Sequence, residues 1–262
     1  MFVYWINERE SIRKKKEAGL PKPWSDDPVF QETYFCNVRR EDDRVTRWLR
    51  ANWLVDDKNY EFAMVMARLI NRPESLKKIG YPDTIFWDCG GLENVHYAAR
   101  TLKPFWGNAY VVTTHGQRMD KLEYLLNVLQ AASKVLPMVG LPPTCQAYHS
   151  AFKTLEGFGD FMAAQVVADL KNTCFHPLAK ATDWWGFVAP GPGSIRGMQW
   201  YFSGPVRNFK DGIDRIRHDI AGKLEINICN QDLQNCLCEF DKYMRVKFGT
   251  GRSKRKYNGR HN

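Results

Sequence analysis

The sequence predicts a mostly α-helical fold with at most a short β element. Three observations predict it. Apolar residues recur at helical spacing along most of the chain, as in Tyr148, Ala151, Phe152 and Leu155, which fall at i, i+3, i+4 and i+7 on one helix face. Proline and glycine stand mostly between such runs rather than inside them. Only one stretch, Asn108 to Thr114 (NAYVVTT), has the β-branched character of a strand, and it is short.

In chain order, the first helix is expected from Tyr4 to Ala18, ending before Gly19. The segment from Gly19 to Trp24 is then a stiff loop, because Pro21 and Pro23 fix their own backbone and bias the residue before them away from helix. Ser25, Asp26 and Asp27 offer N-caps for a short helix through Tyr34. Further helices are expected at Arg40 to Ala51, Tyr60 to Ile70, Glu93 to Thr101, Met119 to Leu136 and Gln231 to Lys247. No internal repeat is present and no linker divides the chain cleanly. The expected organisation is a helical domain over 1–248, as one large body or two lobes, followed by a basic tail at 249–262.

Composition bounds the function. Apolar residues are 44% and charged residues 26% of the 262, enough apolar content to close a core. No apolar stretch approaches the roughly 18 residues of a membrane span. The N-terminal order, apolar and then basic, is the reverse of a secretory signal. Seven cysteines, an odd number without even spacing, read as reduced intracellular thiols rather than a disulfide scaffold. The net charge of +9 favours a polyanionic partner such as nucleic acid.

The segment 144–171 carries the most chemistry. Thr144 caps a short helix, Glu156-Gly157-Phe158-Gly159-Asp160 turns the chain, and Ala163, Val166, Val167 and Leu170 line the face of a second helix. Glycines in such a turn permit positive φ and leave the backbone open. Exposed N–H groups at the start of the second helix suit a phosphate oxygen. The pattern resembles a helix-hairpin-helix, which grips a DNA backbone without reading sequence; an ordinary αα-hairpin would look similar. Gly157, Phe158 and Gly159 are its candidate DNA contacts, and Arg252, Lys254, Arg255 and Lys256 of the tail add a second, electrostatic set.

Downstream of the hairpin, Asp183 precedes Trp184 and Trp185. A carboxylate desolvated by two indoles is a candidate general base; a helix cap is the structural alternative. The run Ala189-Pro-Gly-Pro-Gly-Ser-Ile-Arg-Gly197 has the makings of an anion nest, though it lacks the Gly-Lys-Ser/Thr ending of a P-loop. Between Cys36 and Trp48 stand four arginines and three carboxylates. Arginine forks suit phosphate oxygens, whereas i, i+4 ion pairs on a solvated face are the structural alternative. Cys229, Cys236 and Cys238 do not form a cluster-binding set and read as buried thiols.

These pieces together resemble the phage alpha-glutamyl/putrescinyl thymine pyrophosphorylases, or amino acid:DNA transferases, a family related to helix-hairpin-helix DNA glycosylases. The resemblance rests on Pro23-Trp-Ser-Asp-Asp-Pro28, Phe35-Cys-Asn-Val-Arg-Arg-Glu-Asp-Asp43, Leu155-Glu-Gly-Phe-Gly159 with Gln165-Val-Val-Ala-Asp169, Gly191-Pro-Gly-Ser194 and Cys238-Glu-Phe-Asp-Lys-Tyr243. It implies a glycosylase-like fold and phage-directed thymine hypermodification in the host cytoplasm. A pyrophosphorylated hydroxymethyl-uracil in double-stranded DNA would lose pyrophosphate to an amine, either an amino acid or a polyamine. Neither metal nor redox cofactor is required. Under that reading Asp183, Glu41, Asp42 and Asp43 are candidate bases. Arg39, Arg40, Arg44, Gly193, Ser194 and Arg196 are candidate pyrophosphate ligands. Trp24, Trp184 and Trp185 are candidate stacking partners for a flipped base. The competing readings are a true DNA glycosylase, and a DNA-binding module without catalysis.

Overall fold

The structure, a computed structural model, describes residues 1–83, 90–108 and 113–251. Twelve α-helices and two 3-10 turns account for its regular structure among those residues, so the mostly α expectation holds. The helices are α1 Phe2–Glu17, α2 Pro28–Glu32, α3 Arg44–Asn52, α4 Tyr60–Ile70, α5 Pro73–Ile79, α6 Gly91–Thr101, α7 Lys121–Ser133, α8 Cys145–Phe152, α9 Asp160–Lys171, α10 Pro192–Phe202, α11 Phe209–Ile220 and α12 Asn230–Lys247. The strand expected near 108–114 lies largely outside the described residues, as do Arg252, Lys254, Arg255 and Lys256. No described helix is long and apolar enough to cross a membrane.

Helix boundaries follow local chemistry. Asp27 caps α2, its Oδ1 accepting from Val29 N at 2.8 Å, with Pro28 at the first helical position. Asp120 caps α7 in the same way. Asn71 ends α4 in the left-handed region, with φ 54°, a conformation asparagine tolerates better than most residues. The expected helix from Arg40 is instead a 3-10 turn at Arg40–Asp42 followed by α3, because Asp43 takes an extended conformation. The run at 189–197 is mostly not a loop. Gly191 is an N-cap, Pro192 opens α10, and Gly193, Ser194, Arg196 and Gly197 are helical.

The chain divides into two compact units, Met1–Asp43 with Trp185–Asn262, and Arg44–Trp184. In the first, α12 is the axis. Its apolar side packs with Phe2, Trp5, Phe30, Phe35 and Met198 around Leu237, Phe240 and Tyr243, with several of the rings in stacked or tilted contact. Helix α10 reaches α12 backbone to backbone, since a Cβ on Gly197 would overlap the Leu237 carbonyl and one on Gly193 would overlap Cys238 Sγ.

In the second unit α4 is the centre. Each of its eleven residues is buried, as expected of a helix surrounded by other helices. Arg68 of α4 is buried against Asp169 of α9, with Nε–Oδ2 and Nη2–Oδ1 both at 2.5 Å. Thr46 Oγ1 donates to Asp169 Oδ1 at 2.9 Å and accepts from Arg68 Nη2 at 2.6 Å. This two-pronged pair, with its lone pairs occupied, is what makes burial of two charges tolerable.

Candidate functional site

The sequence Pro23-Trp-Ser-Asp-Asp-Pro28 is held in place by Asp27. Besides capping α2, its Oδ2 accepts from Tyr243 Oη at 2.7 Å and Tyr4 Oη at 3.3 Å, tying the segment to α12 and α1. Trp24 is fixed at both ends. Its Nε1 donates to Leu20 O at 2.7 Å, and its own carbonyl accepts from Lys15 Nζ at 2.8 Å. Lys22 Nζ lies 5.1 Å from the centre of the indole, within cation–π range.

This fixing leaves a cavity of about 410 Å³ between α1, Trp24 and the stretch from Phe30 to Phe35. That is the size of a small-molecule site. Its lining includes Arg9, Lys16, Lys22, Trp24 and Tyr34 and contains no carboxylate. Arg9 donates from Nε to Phe35 O and Cys36 O, at 3.2 and 3.0 Å, and from Nη2 to Asn37 Oδ1. Its Nη1 is buried and has no hydrogen-bond partner among the described residues. Burial lowers the Arg9 pKa from its ordinary value. Burial likewise pushes the Tyr34 phenol up to about 12, so it stays a neutral hydroxyl. The Cys36 thiol is pushed up to about 12 by the same cause, which removes it as a thiolate nucleophile.

Asn37 links the Arg39–Asp43 turn to Arg9 of the cavity lining. The Asn37 amide accepts from Arg9 and donates to the Asp42 carbonyl at 2.7 Å. Asp42 is buried, with Arg39 Nε at 3.0 Å and Arg13 Nε at 3.6 Å from its Oδ2. Arg13 also holds Glu10 and Glu17, both at 2.5 Å. Glu41 is half-exposed and meets Arg39 Nη1 at 3.1 Å. The backbone of this segment is pinned along α12. Cys36 N donates to Glu239, Asn235 donates to the Asn37 carbonyl, and Arg40 N donates to Asp232 at 2.7 Å.

The glycine-rich start of α10 sits on another side of the same helix. Ser194 is fully buried, its Oγ accepting from Gly191 N at 3.1 Å and facing Gln234 Nε2 at 3.3 Å. Arg196 donates to the buried Asp241 from Nε and Nη2, both at 3.0 Å, and Arg245 Nε meets the same carboxylate at 3.2 Å. Residues on a helix advance by about 100° each. Asp232, Asn235 and Glu239 therefore centre on a different side of the helix from Gln234, Cys238 and Asp241. The Arg40 backbone thus meets one side of α12, and Gly193, Ser194 and Arg196 another. Arg44, the remaining candidate pyrophosphate ligand, opens α3 in the second unit and pairs with Glu74.

The hairpin is in the second unit. Thr144 Oγ1 accepts from Ala147 N at 3.1 Å, and Asp183 Oδ1 and Oδ2 accept from Cys145 N and Gln146 N at 2.8 and 2.9 Å. The first three N–H groups of α8 are thus satisfied by side chains, and both Asp183 oxygens serve in this cap. Gly157 has φ 78°, and a Cβ there would stand 2.5 Å from Tyr124 Oη. Phe158 is buried beneath the turn, while Gly159 is the N-cap of α9 and Asp160 its first residue. Lys153 Nζ pairs with Asp160 at 2.6 Å, which partly offsets that negative charge at the helix start.

Of the other indoles, Trp184 is packed face-on against Lys171, whose Nζ lies 4.1 Å from the ring centre, and donates to the Lys171 carbonyl at 2.8 Å. Trp185 is exposed, with Arg217 at 5.7 Å from its ring centre. Sequence reasoning missed Arg9, Lys16, Lys22 and Tyr34. Only the spacing of three cations along α1 and the next turn hinted at them, and that pattern also fits a solvated face.

Comparison with known proteins places these features in a family. The chain belongs to the family described as 5-hmdU DNA kinase, helical domain, which matches residues 1–253. It is similar to a 5-hmdU DNA kinase of Bacillus phage SP10, 27% identical over 228 residues that cover 76% of this chain and 36% of the relative. The chain thus spans about a third of the length of the curated relative it matches. No solved structure matches it significantly.

Proposed function

We propose that this chain is a DNA-modifying enzyme of phage thymine hypermodification, acting on 5-hydroxymethyl-uracil in double-stranded DNA. Within that pathway it transfers an amine onto the pyrophosphorylated base. The observation that carries the reading is the family match over 1–253 to a helical domain named for 5-hmdU DNA. Support comes from a Gly157 turn between α8 and α9 suited to a phosphate backbone, and from a net charge of +9.

In the proposed step the amine nitrogen attacks the exocyclic methylene carbon. A C–N bond forms, the C–O bond to pyrophosphate breaks, and pyrophosphate leaves with the bonding pair. The attacking amine loses a proton to a carboxylate. Among the candidates, Glu41 is half-exposed and paired with Arg39. Asp42 is buried under two arginines, and Asp43 ends the same turn. Asp183, with both oxygens on α8 N–H groups, is read as a positioning residue for the hairpin. Arg39 and Arg40 are the candidate leaving-group ligands beside these carboxylates.

The test is to supply DNA bearing the pyrophosphorylated base together with a pool of amino acids and polyamines. Pyrophosphate release in step with consumption of one amine supports the transferase. Release of free base with an abasic site would establish the glycosylase alternative instead.

A further inference from the structure

We propose that the cavity of the first unit is a pocket for a pyrimidine base carrying an anionic substituent, with the ring against Trp24 and Tyr34 and the anion on Arg9, Lys16 and Lys22. This rests on the DNA-modification reading and names the ligand of a site which that reading leaves open.

Three observations carry it. First, the pocket is cationic and aromatic together. Three basic side chains line it beside Trp24 and Tyr34, and no carboxylate is among its lining residues. A cavity that only completed the core would be lined by aliphatic groups. Second, Arg9 is immobilised by three acceptors, the Phe35 and Cys36 carbonyls and the Asn37 amide, while its Nη1 is buried without a partner among the described residues. A buried donor left unpaired is costly, and an oxygen of an anionic ligand is the partner that would satisfy it. Third, the indole is held rigidly by its Nε1 bond to Leu20 and by the Lys15 bond to its carbonyl. A ring so fixed is a preorganised stacking surface. A planar ring bearing an anion uses all three features.

The floor of the pocket also leads toward the candidate chemistry. Asn37 joins Arg9 to the Asp42 carbonyl, so an anion on Arg9 lies one residue contact from the Arg39–Asp42 turn. The pocket thus fits the modified base itself, with its 5-substituent directed inward.

The experiment is calorimetric titration of the full chain with three probes. They are thymidine, inorganic pyrophosphate, and an analogue of 5-hydroxymethyl-deoxyuridine diphosphate ester in which carbon replaces the ester oxygen so that nothing can leave. The analogue is expected to bind more tightly than either thymidine or pyrophosphate. Trp24→Leu is expected to weaken it about tenfold, and Lys16→Gln or Lys22→Gln about fivefold each. All three changes lie at the surface of the pocket, and Trp24→Phe serves as the second variant should Trp24→Leu unfold. Absence of analogue binding would overturn the proposal. So would affinity equal to that of pyrophosphate alone, or affinity indifferent to all these substitutions. Analogue binding without any amine transfer would remove the transferase reading and leave the pocket standing. Transfer with binding untouched by the pocket variants would do the reverse.

Discussion

Replacing Asp183 by asparagine separates a structural from a chemical role. Both carboxylate oxygens accept backbone N–H groups at the start of α8, from Cys145 at 2.8 Å and Gln146 at 2.9 Å. Asparagine keeps the shape but presents its NH2 to one of those donors, so one charge-assisted bond is lost and two donors face each other. A hydrogen bond to a charged group contributes about 1.5–3 kcal/mol. The lost negative charge at a helix N-terminus costs roughly 0.3–1 kcal/mol more. Thr144 still holds Ala147 N, so the helix start is weakened rather than abolished. The net expectation is a loss of about 2–4 kcal/mol, which lowers the melting temperature by roughly 4–16 °C for a chain of this size. Thermal denaturation followed by circular dichroism measures it, alongside binding to a short duplex. The account requires that Asp183→Asn melt earlier. An unchanged melting temperature with abolished turnover would refute it and make Asp183 a chemical participant.

Other outcomes follow from the same geometry. Asp169→Ala strands the buried Arg68 guanidinium and should cost about 3–5 kcal/mol, read as a fall in the urea midpoint. Gly157→Ala combines a strained positive φ with overlap of Tyr124 Oη. It should lower duplex affinity several-fold while far-ultraviolet circular dichroism keeps its helical content. Burial lowers the His149 pKa below its ordinary 6.5, with its hydrogen bond to the Asp160 carbonyl acting in the opposite direction. The unfolded chain then binds the proton first, so this contribution to stability is full above pH 6.5 and is lost as pH falls below it. His149→Gln should therefore narrow the difference between urea midpoints measured near pH 7.5 and near pH 5.5. Gly197→Ala forces α10 away from the Leu237 carbonyl. It should destabilise by about 1–3 kcal/mol or more, seen in the same denaturation assay.

The helices with strong periodicity and clear caps were legible. Tyr60–Ile70 carries helical spacing throughout, and α8 starts after the Thr144 cap that the sequence displays. Helices whose starts look like turns were not. Pro192-Gly-Ser reads as a loop because glycine and proline are breakers in isolation. Here proline occupies the first helical position, and Gly193 and Gly197 are needed where two backbones meet. Phe209–Ile220 and Pro73–Ile79 were missed although their starts are marked, the first by the Asn208 cap and the second by Pro73 at the first helical position.

The candidate site was legible only in its ingredients. The arginine and carboxylate run of residues 36–48 was visible, but which side of α12 each group faces depends on contacts some 200 residues away, such as Arg40 N to Asp232. Asp183 was singled out for its two tryptophans. Its actual partners, Cys145 and Gln146, lie far upstream, and no local pattern announces them. The pocket cations are ordinary in sequence, since Arg9 differs from a surface arginine only by its three tertiary acceptors.

The most direct test of the central claim is mass spectrometry of nucleosides from duplex DNA carrying pyrophosphorylated 5-hydroxymethyl-uracil, after incubation with this chain and a pool of amines. The account predicts a new nucleoside whose mass equals that of the base with pyrophosphate replaced by one amine. Unchanged nucleosides, from DNA that the protein demonstrably binds and with the amine pool in excess, would contradict it.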